Sequence, residues 1–137
     1  MKMKLKNVSE TRAWARKFAK KLRAPAVVAL HGDLGAGKSE VARAVIQELC
    51  GPDTVVPSPT FTLVQSYECA DGSRISHFDL YRIEDPSELE EIGLAHACAN
   101  DITLIEWPEM AERILPADTV HIYINQDGEG RELKVIT

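Results

Sequence analysis

Residues 32–39 read Gly32-Asp33-Leu34-Gly35-Ala36-Gly37-Lys38-Ser39, a complete G-x-x-x-x-G-K-[ST] octet. The chemistry this spacing can do is to hold a chain of phosphates. Glycines at 32, 35 and 37 allow a curl that Cβ-bearing residues resist, and the curl turns backbone N–H groups from Gly32 through Glu40 inward onto an anion. Lys38 would reach the β and γ phosphates, and the Ser39 hydroxyl would ligate Mg²⁺. Such a loop needs a second component, an acid at the end of a neighbouring strand that organises the metal. Two positions qualify. Glu106 follows the apolar run Ile102-Thr103-Leu104-Ile105, and Asp79 lies within His77-Phe78-Asp79-Leu80-Tyr81-Arg82, where an acid between two large apolar residues is unusual. A third candidate is Ser58-Pro59-Thr60-Phe61-Thr62, where rigid prolines beside hydroxyls could place the Thr60 O–H near a terminal phosphate, as switch loops do. Trp107 reads either as a packing residue or as an anchor for a partner.

The elements around these residues are ordered as a phosphate loop requires. Ala26–Leu30 is a short apolar run expected to be a buried parallel strand. Beyond the octet, Val41, Ala42, Val45, Ile46 and Leu49 recur at helical spacing until Gly51-Pro52 stops the helix. Before it, a helix is expected from about Glu10 to Leu22, capped by Ser9, with Trp14, Phe18 and Leu22 as a packing stripe beside Ala15 and Ala19. The segment Val55–Thr60 is too rich in proline for regular structure. Phe61–Glu68 and Arg74–Leu80 read as a hairpin around Asp71-Gly72. Asp85-Pro86 opens another helix, and Thr119–Asn125 with Glu132–Thr137 form a terminal hairpin around Gln126–Gly130. The expectation is a single α/β domain over residues 1–137, a mixed sheet flanked by helices.

Bulk properties exclude several functions. A net charge of −5 over 137 residues argues against a broad basic surface for nucleic acid. No segment approaches the ~20 apolar residues of a membrane span, and no apolar stretch follows the basic start at Lys2, Lys4 and Lys6 as a signal peptide would need. Cys50, Cys69 and Cys98 lie far apart without a C-x-x-C pair, a pattern that suits unpaired thiols in a reducing compartment. The four histidines lack metal-ligand spacing, and His31, just before the octet, reads as a packing or hydrogen-bonding residue.

Taken in order, Gly-Asp-Leu-Gly-Ala-Gly-Lys, Ser-Pro-Thr-Phe, His-Phe-Asp-Leu-Tyr-Arg and Glu-Trp-Pro-Glu make the chain resemble one family over nearly its whole length, the TsaE (YjeE) family of bacterial P-loop ATPases. The resemblance implies a cytoplasmic P-loop NTPase-like protein that binds and slowly hydrolyses ATP with Mg²⁺. It also implies work beside TsaB and TsaD type proteins, which install threonylcarbamoyl on the adenosine next to the tRNA anticodon; tRNA would be met through that complex. By position, Gly32 through Ser39 would hold the phosphates, Ser39 and Glu106 the Mg²⁺, Asp79 metal or water, and Thr60 would belong to the switch-like loop. Thr11 and Arg131 match family positions near the nucleoside. The chain departs from the family's Lys-Thr-Thr at Lys38-Ser39-Glu40, where the Glu40 carboxylate would repel a nucleotide unless it points away. Two other readings use the same loop, a noncatalytic nucleotide-gated binding module and a small-molecule kinase. The kinase reading lacks an arginine-rich lid segment.

Overall fold

The apolar run at 26–31 forms strand β2 (Ala26–His31) at the centre of a seven-stranded sheet. In the computed structural model, which describes residues 1–137, the elements in chain order are β1 (Lys2–Leu5), α1 (Val8–Ala19), β2, α2 (Lys38–Cys50), β3 (Val64–Glu68) and β4 (Arg74–Asp79). They continue as α3 (Glu88–Glu91), α4 (Leu94–Asn100), β5 (Ile102–Glu106), a 3-10 turn Pro108–Ala111, β6 (Val120–Asp127) and β7 (Gly130–Ile136). The sheet order is β1-β7-β6-β2-β5-β4-β3. Strands β6, β2, β5 and β4 are parallel, and antiparallel strands finish both sides.

Period-two alternation divides the buried side chains between two faces. Val28, Leu30, Ile75, Ile102 and Leu104 meet α1 and α2 through Ala15, Ala19, Ala42, Val45 and Ile46. Val27, Phe78 and Ile105 pack on the other face against Leu89, Leu94 and Ala97 of α3 and α4. Parallel strands buried on both faces are apolar throughout, and β5 is buried at all five positions. Its last residue is Glu106, an acid 2% exposed. A carboxylate so placed needs polar partners.

Several boundaries differ from the sequence reading. Helix α1 begins at Val8 and is capped by Asn7, whose side chain accepts from the Glu10 N–H at 2.9 Å. Glu10 in turn accepts from the Lys6 N–H at 2.8 Å, a reciprocal pair like a capping box; Ser9 lies inside the helix, and Leu22 beyond its end. The Ala15 and Ala19 side of α1 is fully buried, while Trp14 and Phe18 stack at 5.2 Å on its flank, partly buried. Strand β3 starts at Val64 because Leu63 N donates to Pro59 O at 2.6 Å and Leu63 takes φ 68°, so 59–63 is a turn. The helix expected at Asp85-Pro86 is two short ones broken at Gly93, φ 76°. Asp85 instead holds the Ser87 N–H at 2.9 Å. Strand β1 was not expected, although Met1-Lys2-Met3-Lys4-Leu5 alternates apolar and polar residues with the period of a strand; it pairs with β7.

The cysteines also depart from expectation. Cys50, ending α2, and Cys69, after β3, form an adjacent pair with Cα atoms 4.3 Å apart, while Cys98 is free and buried. Their 19-residue separation carries no local signal; the turn at 59–63 brings the two ends together. No helix is long and apolar enough to cross a membrane.

Candidate active site

The glycine octet leaves the C-terminal end of β2 and enters α2 at Lys38. Gly37, with φ 116°, supplies the left-handed entry that L-residues avoid. Gly32 is required for space, since a Cβ there would lie 2.6 Å from the Ile124 carbonyl oxygen of β6. Helix α2 leaves its first-turn N–H groups without intrahelical partners, so they are available to an anion. Arg131 of β7 braces the loop from behind, donating from Nε to Ala36 O at 2.5 Å and from one terminal nitrogen to Gly35 O at 3.4 Å.

Above this loop lies a cleft of about 450 Å³, within the size range of small-molecule sites. It is lined from separate segments by Thr11, Leu34, Gly35, Gly37, Lys38, Ser39, Glu40, Ser58, Thr60, Asp79, Tyr81, Glu106, Trp107 and Arg131, together with Val8 and Glu129. Most residues expected at the site therefore converge. The Gly32 and Asp33 carbonyls and the buried Ala36 sit in the loop wall beneath, while Leu34 is 81% exposed at its tip.

Lys38 is 5% exposed. Its ammonium donates to Gly32 O at 2.5 Å and Asp33 O at 3.0 Å, and stands 3.7 Å from the centre of the Trp107 ring. Burial lowers its pKa; Glu106, Glu109, Asp79 and Asp33 pull it back up. The Trp107 backbone is left-handed, φ 55° and ψ 59°, an unfavourable state for a bulky residue that is retained where surroundings impose it. Here it turns the chain from β5 into the 3-10 turn and sets the indole against Lys38 and, at 4.9 Å, against Tyr81.

At the foot of the loop, Ser39 Oγ donates to Glu106 Oε1 at 2.9 Å. The register pairs Asp79 with Glu106 across β4 and β5, placing both acids at strand ends on the α2 face. Asp79 Oδ2 accepts from the Thr60 hydroxyl at 2.9 Å, its Oδ1 from the Tyr81 N–H at 2.9 Å, and Thr60 Oγ1 lies 2.7 Å from Ser58 Oγ. Asp79 thus ties the proline-braced turn to the sheet. No three His, Cys, Asp or Glu side chains converge as a metal cage. The Ser39 hydroxyl and Glu106 carboxylate fit Mg²⁺, which takes few protein oxygens and completes its shell with phosphate and water.

Glu40 lines the cleft with its carboxylate engaged by two arginines. Arg12 Nε donates to its Oε1 at 2.6 Å and Arg43 to its Oε2 at 3.1 Å. Thr11 is 2% exposed and its hydroxyl donates back to Asn7 O at 3.3 Å. His31 lies away from the cleft, with Nε2 2.9 Å from His121 Nδ1 and its ring 4.3 Å from that of Tyr123. Sequence reasoning missed two contributors. Arg12 could not be linked to Glu40 across 28 residues, whereas His77, two positions before Asp79 on the same strand face, was visible by its period. Its Nε2 lies 2.6 Å from Glu106 Oε2.

Comparison with known proteins identifies the family and the fold. The family model described as "Threonylcarbamoyl adenosine biosynthesis protein TsaE" matches residues 5–133. A tRNA threonylcarbamoyladenosine biosynthesis protein TsaE of Rickettsia bellii is 38% identical over 97% of this chain and 92% of its own. The Haemophilus influenzae protein of that name is 43% identical over 80% of this chain and 69% of its own. The crystal structure of Bacillus subtilis YdiB superposes with a TM-score of 0.76 at 30% identity, covering 97% of this chain and 82% of that one. With the octet, the two strand-end acids and the sheet order in place, the chain belongs to the TsaE family of tRNA threonylcarbamoyladenosine biosynthesis proteins.

Proposed function

We propose that the chain is a Mg²⁺-dependent ATPase whose hydrolysis supports a TsaB–TsaD type transferase complex as it threonylcarbamoylates tRNA. The observation that carries this reading is the Ser39–Glu106 hydrogen bond at the foot of the glycine octet, which joins a phosphate cradle to a buried strand-end carboxylate. ATP's triphosphate would occupy the cradle, its β and γ oxygens taking Lys38 from the carbonyls of Gly32 and Asp33. Ser39 and Glu106 would hold Mg²⁺, which would neutralise charge on the terminal phosphates. Thr60, on the hydroxyl pair with Ser58 and bonded to Asp79, would orient water toward the γ-phosphate. Arg131 is committed to loop carbonyls, so a guanidinium for the transition-state charge would come from a partner, and turnover by the chain alone would be slow.

The test is ATP hydrolysis by the purified chain, alone and with TsaB, TsaD and tRNA. Weak turnover that rises with the partners is expected. Lys38→Ala and Glu106→Ala should each lower it by roughly 100-fold or more, the scale of losing one preorganised electrostatic group. Parent-like turnover in both variants would remove the active-site assignment. ATP binding without turnover, partners bound, would favour a nucleotide-gated module.

A further inference from the structure

Glu106 is held at both oxygens. One accepts from Ser39, a hydroxyl proposed above as a metal ligand; the other meets His77, a residue 1% exposed whose role nothing above explains. A metal-binding carboxylate is ionised and only accepts hydrogen bonds; in that state the 2.6 Å contact takes His77 Nε2–H as its donor. Nδ1 of the ring is buried and has no hydrogen-bond partner. The imidazole therefore directs its single hydrogen bond at Glu106. The sheet supplies the geometry. His77 stands opposite Leu104, one pleat before the Asp79–Glu106 pair, on the face that carries α2.

We propose that His77 is a positioning residue for the metal-organising carboxylate: its Nε2–H fixes the Glu106 rotamer so that Oε1 faces Ser39 and the cleft. This rests on the ATPase reading of the site. Without the donor, Glu106 could rotate about its side-chain torsions, and both the Ser39 contact and the Mg²⁺ site would lose definition. Groups that orient a metal-binding side chain from behind typically alter metal affinity about 10- to 100-fold when removed.

Three variants separate donor from packing. Gln at 77 can place an amide N–H near the position of Nε2; Asn is too short to do so, and Leu has no donor. The primary readout is ATP affinity by calorimetric titration across a Mg²⁺ series and in EDTA. His77→Leu and His77→Asn should raise the half-saturating Mg²⁺ concentration roughly 10-fold or more and leave affinity in EDTA unchanged, while His77→Gln stays within about threefold of the parent. An unchanged Mg²⁺ response in all three overturns the proposal, as does an equal shift that includes His77→Gln. Long-range ¹H–¹⁵N spectra of the unmutated chain decide the matter if the Leu variant does not fold. A proton on Nε2 is required, and one on Nδ1 alone overturns the proposal. Loss of ATP binding in Lys38→Ala with normal Mg²⁺ dependence in the His77 variants sinks this inference alone. Parent-like turnover in Lys38→Ala and Glu106→Ala sinks the ATPase reading itself.

Discussion

Glu40 lies in the first turn of α2 beside the glycine octet, and two arginines engage its carboxylate. Held by Arg12 at 2.6 Å and Arg43 at 3.1 Å, its charge is directed along the outer face of α1 and α2. Exposed ion pairs contribute little to stability, so the consequence lies in binding. Freed, the carboxylate would face a polyanion across a few ångströms at an effective dielectric near that of a protein surface. The double change Arg12→Ala/Arg43→Ala should weaken ATP binding about fivefold, on the order of 1 kcal/mol. Adding Glu40→Gln should restore it. A triple variant as weak as the double would mean that the arginines act on nucleotide directly, and the directing role would be wrong.

At the scale of elements, β2 positions the octet at its C-terminal end and carries an ionisable group, His31, as its last residue. His31 pairs with Tyr123 across β2 and β6 and contacts His121. Burial first, then the neighbouring His121, lower its pKa below 6.5, while Glu109 and Glu112 oppose. The unfolded chain therefore binds more protons than the folded one below about pH 6.5, and stability falls as pH drops from 6.5 toward the folded value. Urea titrations at pH 7.5 and 5.5 should find the parent weaker at the lower pH, and His31→Phe should reduce that difference. An equal pH response in both chains would exclude His31 as its source. The same elements mark what could be read from the sequence. The octet, β2, α2 and β5 were legible because glycine spacing, apolar runs and helical period are local properties. Asp79 and Glu106 were legible as acids in apolar company. Strand β1 carried a legible alternation, Met-Lys-Met-Lys-Leu, too short to be taken as a strand without its β7 partner. The Asn7 cap, the 59–63 turn, the Cys50–Cys69 pair and the Arg12–Glu40 contact were not legible, because each is set by a partner or by one side-chain hydrogen bond that competes with propensity. His77 lies between these cases: its face followed from alternation, but its partner required the β4–β5 register.

At the scale of the whole molecule, the cleft draws on α1, the octet and α2, the 58–60 turn, the ends of β4 and β5, and β7. These segments span both sides of β2 in the sheet order and have no single core residue in common. A ligand that touches all of them links their unfolding, because whatever binds only the folded state shifts the global equilibrium. At a free ATP concentration about 100-fold above Kd, with Mg²⁺, the added stability is about 2.7 kcal/mol. For 137 residues the unfolding entropy is roughly 0.29 kcal/mol per kelvin. The expected rise in Tm is therefore about 9 °C. Lys38→Ala, which removes the ammonium proposed to meet the phosphates, should show almost none of this rise at the same ATP concentration. Differential scanning calorimetry of the two proteins makes the comparison. Equal shifts would mean that ATP is held somewhere other than the octet, and the cleft would lose its claim to the nucleotide.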